Sequence, residues 1–92
     1  MNAVPTLAKP AIGRGFRLQW EPAQNAHVLL YPEGMVKLNT SAGEILSRCD
    51  GERTITEIVA ELEQTFGATG LSDDVTAFVS MAVDNKWLEM RT

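Results

Sequence analysis

Side chains that could perform covalent or metal chemistry are scarce in this chain. The 92 residues contain one histidine, His27, and one cysteine, Cys49. A Cys–His pair can supply a nucleophile and its base, but no third group that would orient the base is evident. Zinc sites usually take about four Cys, His or acidic ligands at set spacings, and these two residues do not form such a set. We therefore predict a packed thiol, a surface histidine, and no catalytic residue, metal site or cofactor.

The acidic residues are spread along the segments that we interpret as helices. No two of them share an apolar context that would shift a carboxyl pKa toward acid–base catalysis. Phosphate-binding loops and dinucleotide fingerprints are also absent from the sequence. The side-chain inventory therefore predicts that this protein is not an enzyme, and that these residues form solvated helix faces: Glu44, Glu57, Glu61, Glu63, Asp73, Asp74 and Asp84.

Composition predicts one small globular domain and argues against nucleic-acid binding. An apolar fraction of 45% and a charged fraction of 22% are ordinary for a folded protein. The net charge of −4 argues against a phosphate-binding surface. A single cysteine fits a reducing compartment, and no signal peptide or run of ~20 apolar residues is visible. We expect a soluble, cytoplasmic protein that does not bind a membrane.

Three short strands are predicted after residues 1–15, which we interpret as an extended N-terminal arm. Alternating residues 16–20, then residues 27–31 and 35–38, form an antiparallel meander, and Pro32-Glu33-Gly34 makes its second turn. The middle strand is apolar on both faces, so we expect helices on one face and either the arm or a partner on the other. A helix follows the third strand, which predicts an open sheet edge that can accept a strand from another chain.

The rest of the chain is predicted to form three helices. Asn39, Thr40 and Ser41 all suit the first N-cap, Thr54 starts the second helix with Glu57 at capping-box spacing, and Ser72 is the expected third cap. The apolar stripe of the second helix runs from Ile55 to Phe66. Residues 16–92 are therefore predicted to be a single α+β domain, a winged-helix-like fold with a three-stranded antiparallel meander followed by three α-helices.

Several segments in order resemble the pyrroloquinoline quinone (PQQ) biosynthesis protein D (PqqD) family. They are Arg17-Leu18-Gln19-Trp20, the run from His27 to Gly34, Val36-Lys37-Leu38-Asn39, and Asp50-Gly51 followed by Thr54-Ile55-Thr56-Glu57-Ile58. The resemblance implies a peptide chaperone and RiPP recognition element, that is, a domain that binds the leader of a ribosomally made peptide. It further implies that the chain binds the precursor peptide PqqA by strand addition and presents it to the radical SAM enzyme PqqE.

Carried onto this chain, the resemblance implies a peptide groove between the third strand and the third helix. Whether each apolar residue of that helix faces the groove or the core is left open. Lys37 has two readings of equal weight, since an edge lysine can deter aggregation or can pair with an acid of the peptide. The predicted peptide-binding residues are Met35, Val36, Lys37 and Leu38 on the strand and Asp74, Val75, Phe78, Val79 and Ala82 on the helix.

Two other functions fit the same fold. A winged-helix regulator would bind nucleic acid, although the third helix carries more acids than cations. A dimerisation module would use the open edge on a second copy, so the choice between monomer and dimer is left open. We expect Val36→Pro to remove a main-chain donor and abolish peptide binding if strand addition is correct.

Overall fold

The computed structural model describes residues 6–91 as a small sheet packed against helices. The helices are α1 (Thr40–Ser47), α2 (Ile55–Phe66) and α3 (Ser72–Asp84), and the strands are β1 (Lys9–Ile12), β2 (Arg17–Glu21), β3 (Ala26–Tyr31), β4 (Gly34–Lys37) and β5 (Leu88–Arg91). Strands β2, β3 and β4 form an antiparallel sheet in chain order. The predicted α+β fold, a three-stranded meander followed by three helices, is confirmed.

A second, two-stranded sheet was not predicted. Strand β1 lies in the predicted N-terminal arm and pairs antiparallel with β5, with Lys9 opposite Arg91 and Ile12 opposite Leu88. Pro10 lies inside the first strand and has no main-chain N–H to donate, which weakens the sequence signal for a strand. Each strand has only four residues, and the two partners stand at opposite ends of the chain, so local patterning does not reveal their pairing.

The described part of the arm also packs against the beginning of α2. The carbonyl of Thr6 accepts from the Thr56 N–H at 3.1 Å, and the carbonyl of Ala8 accepts from the Ile55 N–H at 3.2 Å. Ala8 is 2% exposed. Residues 6–8 thus supply acceptors for N–H groups at the start of α2. Residues 1–5 of the predicted arm lie outside the described residues.

The helix starts follow their capping residues, with one exception. Asn39 caps α1, because its Oδ1 accepts from the Ala42 N–H at 2.8 Å. Thr54 and Glu57 form the predicted capping box of α2. The prediction that Ser72 caps α3 is wrong: Ser72 is the first helical residue, and the start of α3 has no side-chain cap.

One core joins the meander to all three helices. Gly43 brings α1 against β3 so closely that a Cβ at this position would lie 2.6 Å from Nδ1 of His27. Only a residue without a side chain permits that approach. The core residues are Leu29, Leu38, Ala42, Ile45, Leu46, Cys49, Ile55, Ile58, Leu62, Val75, Val79, Ala82 and Leu88.

Candidate functional site: a strand edge and a neighbouring cavity

Within residues 6–91, strand β4 pairs only with β3, so its other edge is open. The Leu38 N–H donates to the His27 carbonyl at 3.0 Å, which makes these two residues a hydrogen-bonded pair. Such pairs alternate with non-bonded pairs in an antiparallel ladder. The register places Val36 opposite Leu29, so Val36 is again bonded inward. The main-chain groups of Met35 and Lys37 therefore point to the open edge.

The side chains of β4 divide between surface and core. Met35 is 52% exposed and Lys37 is also exposed. Val36 is half-buried and packs against the core, and Leu38 is buried. Of the four predicted strand residues, Met35 and Lys37 therefore present both their main-chain groups and their side chains to a peptide at this edge.

The five predicted residues of α3 do not form one exposed wall. Asp74 is exposed and Phe78 is half-buried. Val79 and Ala82 are 0% exposed, and Val75 is 3% exposed. Val79 and Ala82 are therefore core residues with no surface for a peptide, because α3 turns this stripe toward the sheet and the neighbouring helices. Phe78 and Val36 are both partly exposed residues packed against the same core, one from each predicted side of the groove.

A cavity of about 250 Å³ lies among the three helices. Most of its wall is apolar, and three of its residues, Ile45, Leu62 and Val75, belong to the core. Sequence reasoning selected only Asp74 and Val75 of this lining. The signal that could have found the cavity is Phe66, an aromatic residue directly before the C-cap glycine of α2. The lining consists of Thr40, Ser41, Glu44, Ile45, Leu62, Phe66, Ala68, Leu71, Asp74 and Val75.

Phe66 departs from its expected place in the apolar stripe. Its side chain is 52% exposed, although Ile55, Ile58 and Leu62 of the same helix are buried. The helix ends at Gly67, which adopts the left-handed conformation with φ of 61°. The chain then turns away before α3 can cover Phe66, which leaves the ring at the mouth of the cavity.

A second, more polar cavity of about 430 Å³ lies between the meander and the start of α1. Trp20 and His27 meet there edge to face, with ring centroids 5.0 Å apart. His27 is half-buried, so it is not the surface histidine that the sequence predicted. Thr40 and Glu44 line both cavities. The first turn of α1 therefore separates two concave regions next to the end of β4.

A chain of ion pairs connects α1 to α2 and to the loop between them. The Arg48 guanidinium lies 2.8 Å from the Glu44 carboxylate and 3.4 Å from that of Glu61. Arg53 pairs with Glu61 at 2.7 Å and with Asp50 at 2.9 Å. The 3.4 Å contact is an ion pair without hydrogen-bond geometry, and Arg48 Nε is buried with no hydrogen-bond acceptor. Backbone N–H groups of Arg53 and Glu52 lower the pKa of Asp50, which keeps this end of the network charged.

The environment of Cys49 does not favour a nucleophilic role for its thiol. Burial, and secondarily the charge of Asp50, raises the pKa of this thiol to about 12. The reactive thiolate is therefore suppressed at neutral pH. Among residues 6–91, no group of three or more His, Cys, Asp or Glu side chains is arranged to hold a metal ion. The described helices are also too short or too polar for any of them to cross a membrane.

Comparison with known proteins identifies the family of this chain. The family model described as Coenzyme PQQ synthesis protein D (PqqD) matches residues 26–88, more than half of the chain. This chain belongs to the PqqD family. The resemblance seen in the sequence is thereby confirmed, and the matched residues of this PqqD family member include β3, β4 and all three helices.

Relatives and a solved structure agree with the assignment to PqqD. A Stutzerimonas stutzeri protein named PqqA binding protein is 50% identical over 92 residues, covering 99% of this chain and 100% of that protein. A protein of the same name from Azotobacter vinelandii is 55% identical over 82 residues, covering 88% and 89%. The solution NMR structure of the PqqD truncation of Methylobacterium extorquens PqqCD is similar, with a TM-score of 0.72, 32% identity and 87% of each chain covered. That protein is described as a functional and stand-alone RiPP recognition element.

Proposed function

We propose that this protein is a peptide chaperone of PQQ biosynthesis that binds PqqA along the open edge of β4 and presents it to PqqE. The observation that carries the proposal is the open edge itself, with Met35 and Lys37 directing their main-chain groups outward. Relatives named PqqA binding protein supply the identity of the peptide. The likeness to a RiPP recognition element supports a binding role without catalysis.

The short edge limits how much the main chain contributes to affinity. Two outward residues provide two N–H donors and two carbonyl acceptors. At about 0.5–1.5 kcal/mol net for each hydrogen bond, four such bonds contribute roughly 2–6 kcal/mol before the cost of ordering the peptide. Side-chain contacts must therefore supply much of the affinity and the specificity. Phe78, Val36 and the exposed Met35 are the apolar groups nearest to this role.

Strand addition would also explain how the peptide is presented to PqqE. Pairing with β4 forces the peptide into an extended conformation, in which successive side chains point to opposite faces. A disordered peptide would then reach PqqE with one direction and one set of side chains exposed. The chaperone would thus bear the entropy cost of ordering the peptide before the enzyme meets it.

The deciding experiment removes one outward N–H and leaves the β3–β4 ladder intact. Lys37→Pro should weaken PqqA binding about twofold to tenfold in calorimetric titration, which is the effect of losing one hydrogen bond of about 0.5–1.5 kcal/mol. Its circular dichroism spectrum should be unchanged, because proline is tolerated where an edge N–H faces away from the sheet. Lys37→Ala is the matched control, since it removes the charge and keeps the donor. Equal affinities of folded Lys37→Pro and Lys37→Ala would rule out strand addition at this edge.

The expectation that Val36→Pro removes an outward donor is wrong. The Val36 N–H bonds inward to β3, so proline there breaks the hairpin and removes no outward donor. We expect Val36→Pro to lower stability, and any loss of binding in that variant follows from unfolding. Presentation is tested separately by titrating PqqE into the protein with and without PqqA and measuring complex formation by analytical ultracentrifugation. Failure to form a three-component complex would reject presentation while leaving peptide binding intact.

A further inference from the structure

We propose that the 250 Å³ cavity among α1, α2 and α3 holds one large apolar side chain of the bound peptide, next to a basic side chain that pairs with Asp74. The inference rests on the proposed function and extends it from main-chain pairing to side-chain selection. It assigns a role to residues of α1, α2 and the α2–α3 connection that lie outside the predicted groove. We call this feature the anchor cavity.

The anchor cavity lies where a strand paired with β4 would leave the sheet. Its lining begins at Thr40 and Ser41, and Thr40 stands only three residues after Lys37, the last residue of β4. Three Cα–Cα steps span at most about 11 Å. Asp74 and Leu71 at the start of α3 form the facing wall. A peptide that passes Lys37 therefore reaches the first turn of α1 and the rim of the cavity within a few residues.

The walls favour an apolar occupant. Ile45, Leu62 and Val75 are core side chains between 3% and 7% exposed, so this part of the lining is held in place by packing. An apolar cavity of about 150 Å³ in a protein core can accept a benzene-sized molecule. The anchor cavity, at about 250 Å³, is large enough for an aromatic or branched aliphatic side chain. The half-exposed ring of Phe66 at the mouth would be covered when such a side chain enters.

The charge at the rim favours a basic neighbour. The lining contains two carboxylates, Glu44 and Asp74, and Glu44 is already paired with Arg48 at 2.8 Å. Asp74 has no ion-pair partner among residues 6–91. A carboxylate without a neighbouring cation therefore stands beside an apolar opening. A peptide with an apolar residue next to Lys or Arg satisfies both features, whereas an acidic neighbour would be repelled.

The test uses a synthetic PqqA peptide of Azotobacter vinelandii and the full chain with labelled methyl groups. We expect intermolecular NOEs from the methyls of Ile45, Leu62, Leu71 and Val75 to one apolar side chain of the peptide. Phe66→Ala should weaken binding at least about fivefold, as loss of an aromatic interface residue does. Leu7→Ala is the matched control, because Leu7 is 77% exposed and lies outside the cavity.

The basic neighbour is tested by a matched pair of charge variants. Asp73 and Asp74 both lie in the first turn of α3, both are exposed, and only Asp74 lines the cavity. Asp74→Asn should weaken binding about twofold to fivefold, the range of an exposed ion pair. Asp73→Asn loses the same interaction with the helix dipole and should bind as the parent does. The difference between the two should vanish at about 1 M salt.

Each outcome separates this inference from the proposed function. Binding with shifts at the Met35 and Lys37 amides, but without NOEs to the cavity methyls, overturns the anchor cavity and leaves strand addition intact. Equal affinities of Asp73→Asn and Asp74→Asn overturn the basic neighbour alone. Absence of any binding overturns the proposed function and the inference together. NOEs combined with a selective effect of Asp74→Asn support both parts.

Discussion

At the scale of single residues, Cys49 shows how position decides what a reactive side chain does. Its thiol is 3% exposed and lies 3.2 Å from the Ile45 carbonyl, which accepts its hydrogen bond. In the folded protein its pKa is raised from 9.0 to about 12, first by burial and then by the charge of Asp50. The prediction of a packed thiol agrees with this geometry, because Cys49 follows Ile45 by one helical turn on the same apolar face.

The raised pKa of Cys49 predicts a loss of stability in alkaline solution. Below pH 9 the thiol is protonated in both states and has no effect on the pH dependence. Between pH 9 and 12 the unfolded chain ionises first, so the free energy of unfolding should fall by about 1.4 kcal/mol per pH unit. Urea unfolding of the parent and of Cys49→Ala measures this as the difference in slope between them. Parallel pH profiles of the two proteins would show that the thiol titrates normally.

At the scale of elements, local sequence signals predicted where helices start better than they predicted which strands pair. The Thr54 capping box was recognisable because both of its groups stand within four residues. Strands β1 and β5 were missed because their pairing joins opposite ends of the chain. The period of α3 predicted its apolar stripe, but periodicity cannot say whether a stripe meets the core or a groove. Val79 and Ala82 pack in the core. The cavity could not be predicted from the sequence, because its lining comes from three helices whose relative positions the sequence does not give.

The capping box of α2 leads to a prediction about helix stability. The Thr54 hydroxyl accepts from the Glu57 N–H at 3.1 Å, and the Glu57 carboxylate accepts from the Thr54 N–H at 2.8 Å. Thr54→Ala leaves the Glu57 N–H without its cap and should lower the free energy of unfolding by about 1 kcal/mol. Thr65→Ala, an exposed position near the other end of α2, is the control and should change stability little. Urea denaturation followed by far-UV circular dichroism compares the two, and equal stabilities would contradict a stabilising cap.

At the scale of the whole molecule, the two ends of the described chain support the helices between them. Carbonyls of Thr6, Ala8 and Pro10 accept from the N–H groups of Thr56, Ile55 and Gly51. The N-terminal segment therefore provides acceptors for donors that otherwise face solvent at the start of α2. Strand β5 then connects this segment to the end of α3. The predicted boundary between an arm at residues 1–15 and a domain at residues 16–92 stays a prediction, but residues 8–12 contribute buried surface.

Removing the paired N-terminal segment should therefore destabilise the molecule without removing the peptide site. A chain that lacks residues 1–12 loses three backbone hydrogen bonds to the α2 region, the β1–β5 ladder, and the burial of Ala8, Pro10 and Ala11. We expect its free energy of unfolding to fall by at least about 4 kcal/mol. A chain that lacks only residues 1–5 is the reference, so that the difference reports residues 6–12. PqqA affinity measured under folding conditions should be the same in both, and a selective loss would place part of the site on β1.

The pairing of Lys9 with Arg91 also determines how this domain can be carried by a larger assembly. Polypeptide added after β5 would emerge beside Lys9, whereas the chain before β1 continues to the start of α2, where the Thr6 carbonyl accepts from the Thr56 N–H. A covalent tether to a partner would then raise the local concentration of the domain and leave it free to rotate about one pivot. The two ends of the described chain therefore provide different attachment points, and linker length would set how far the captured peptide can travel.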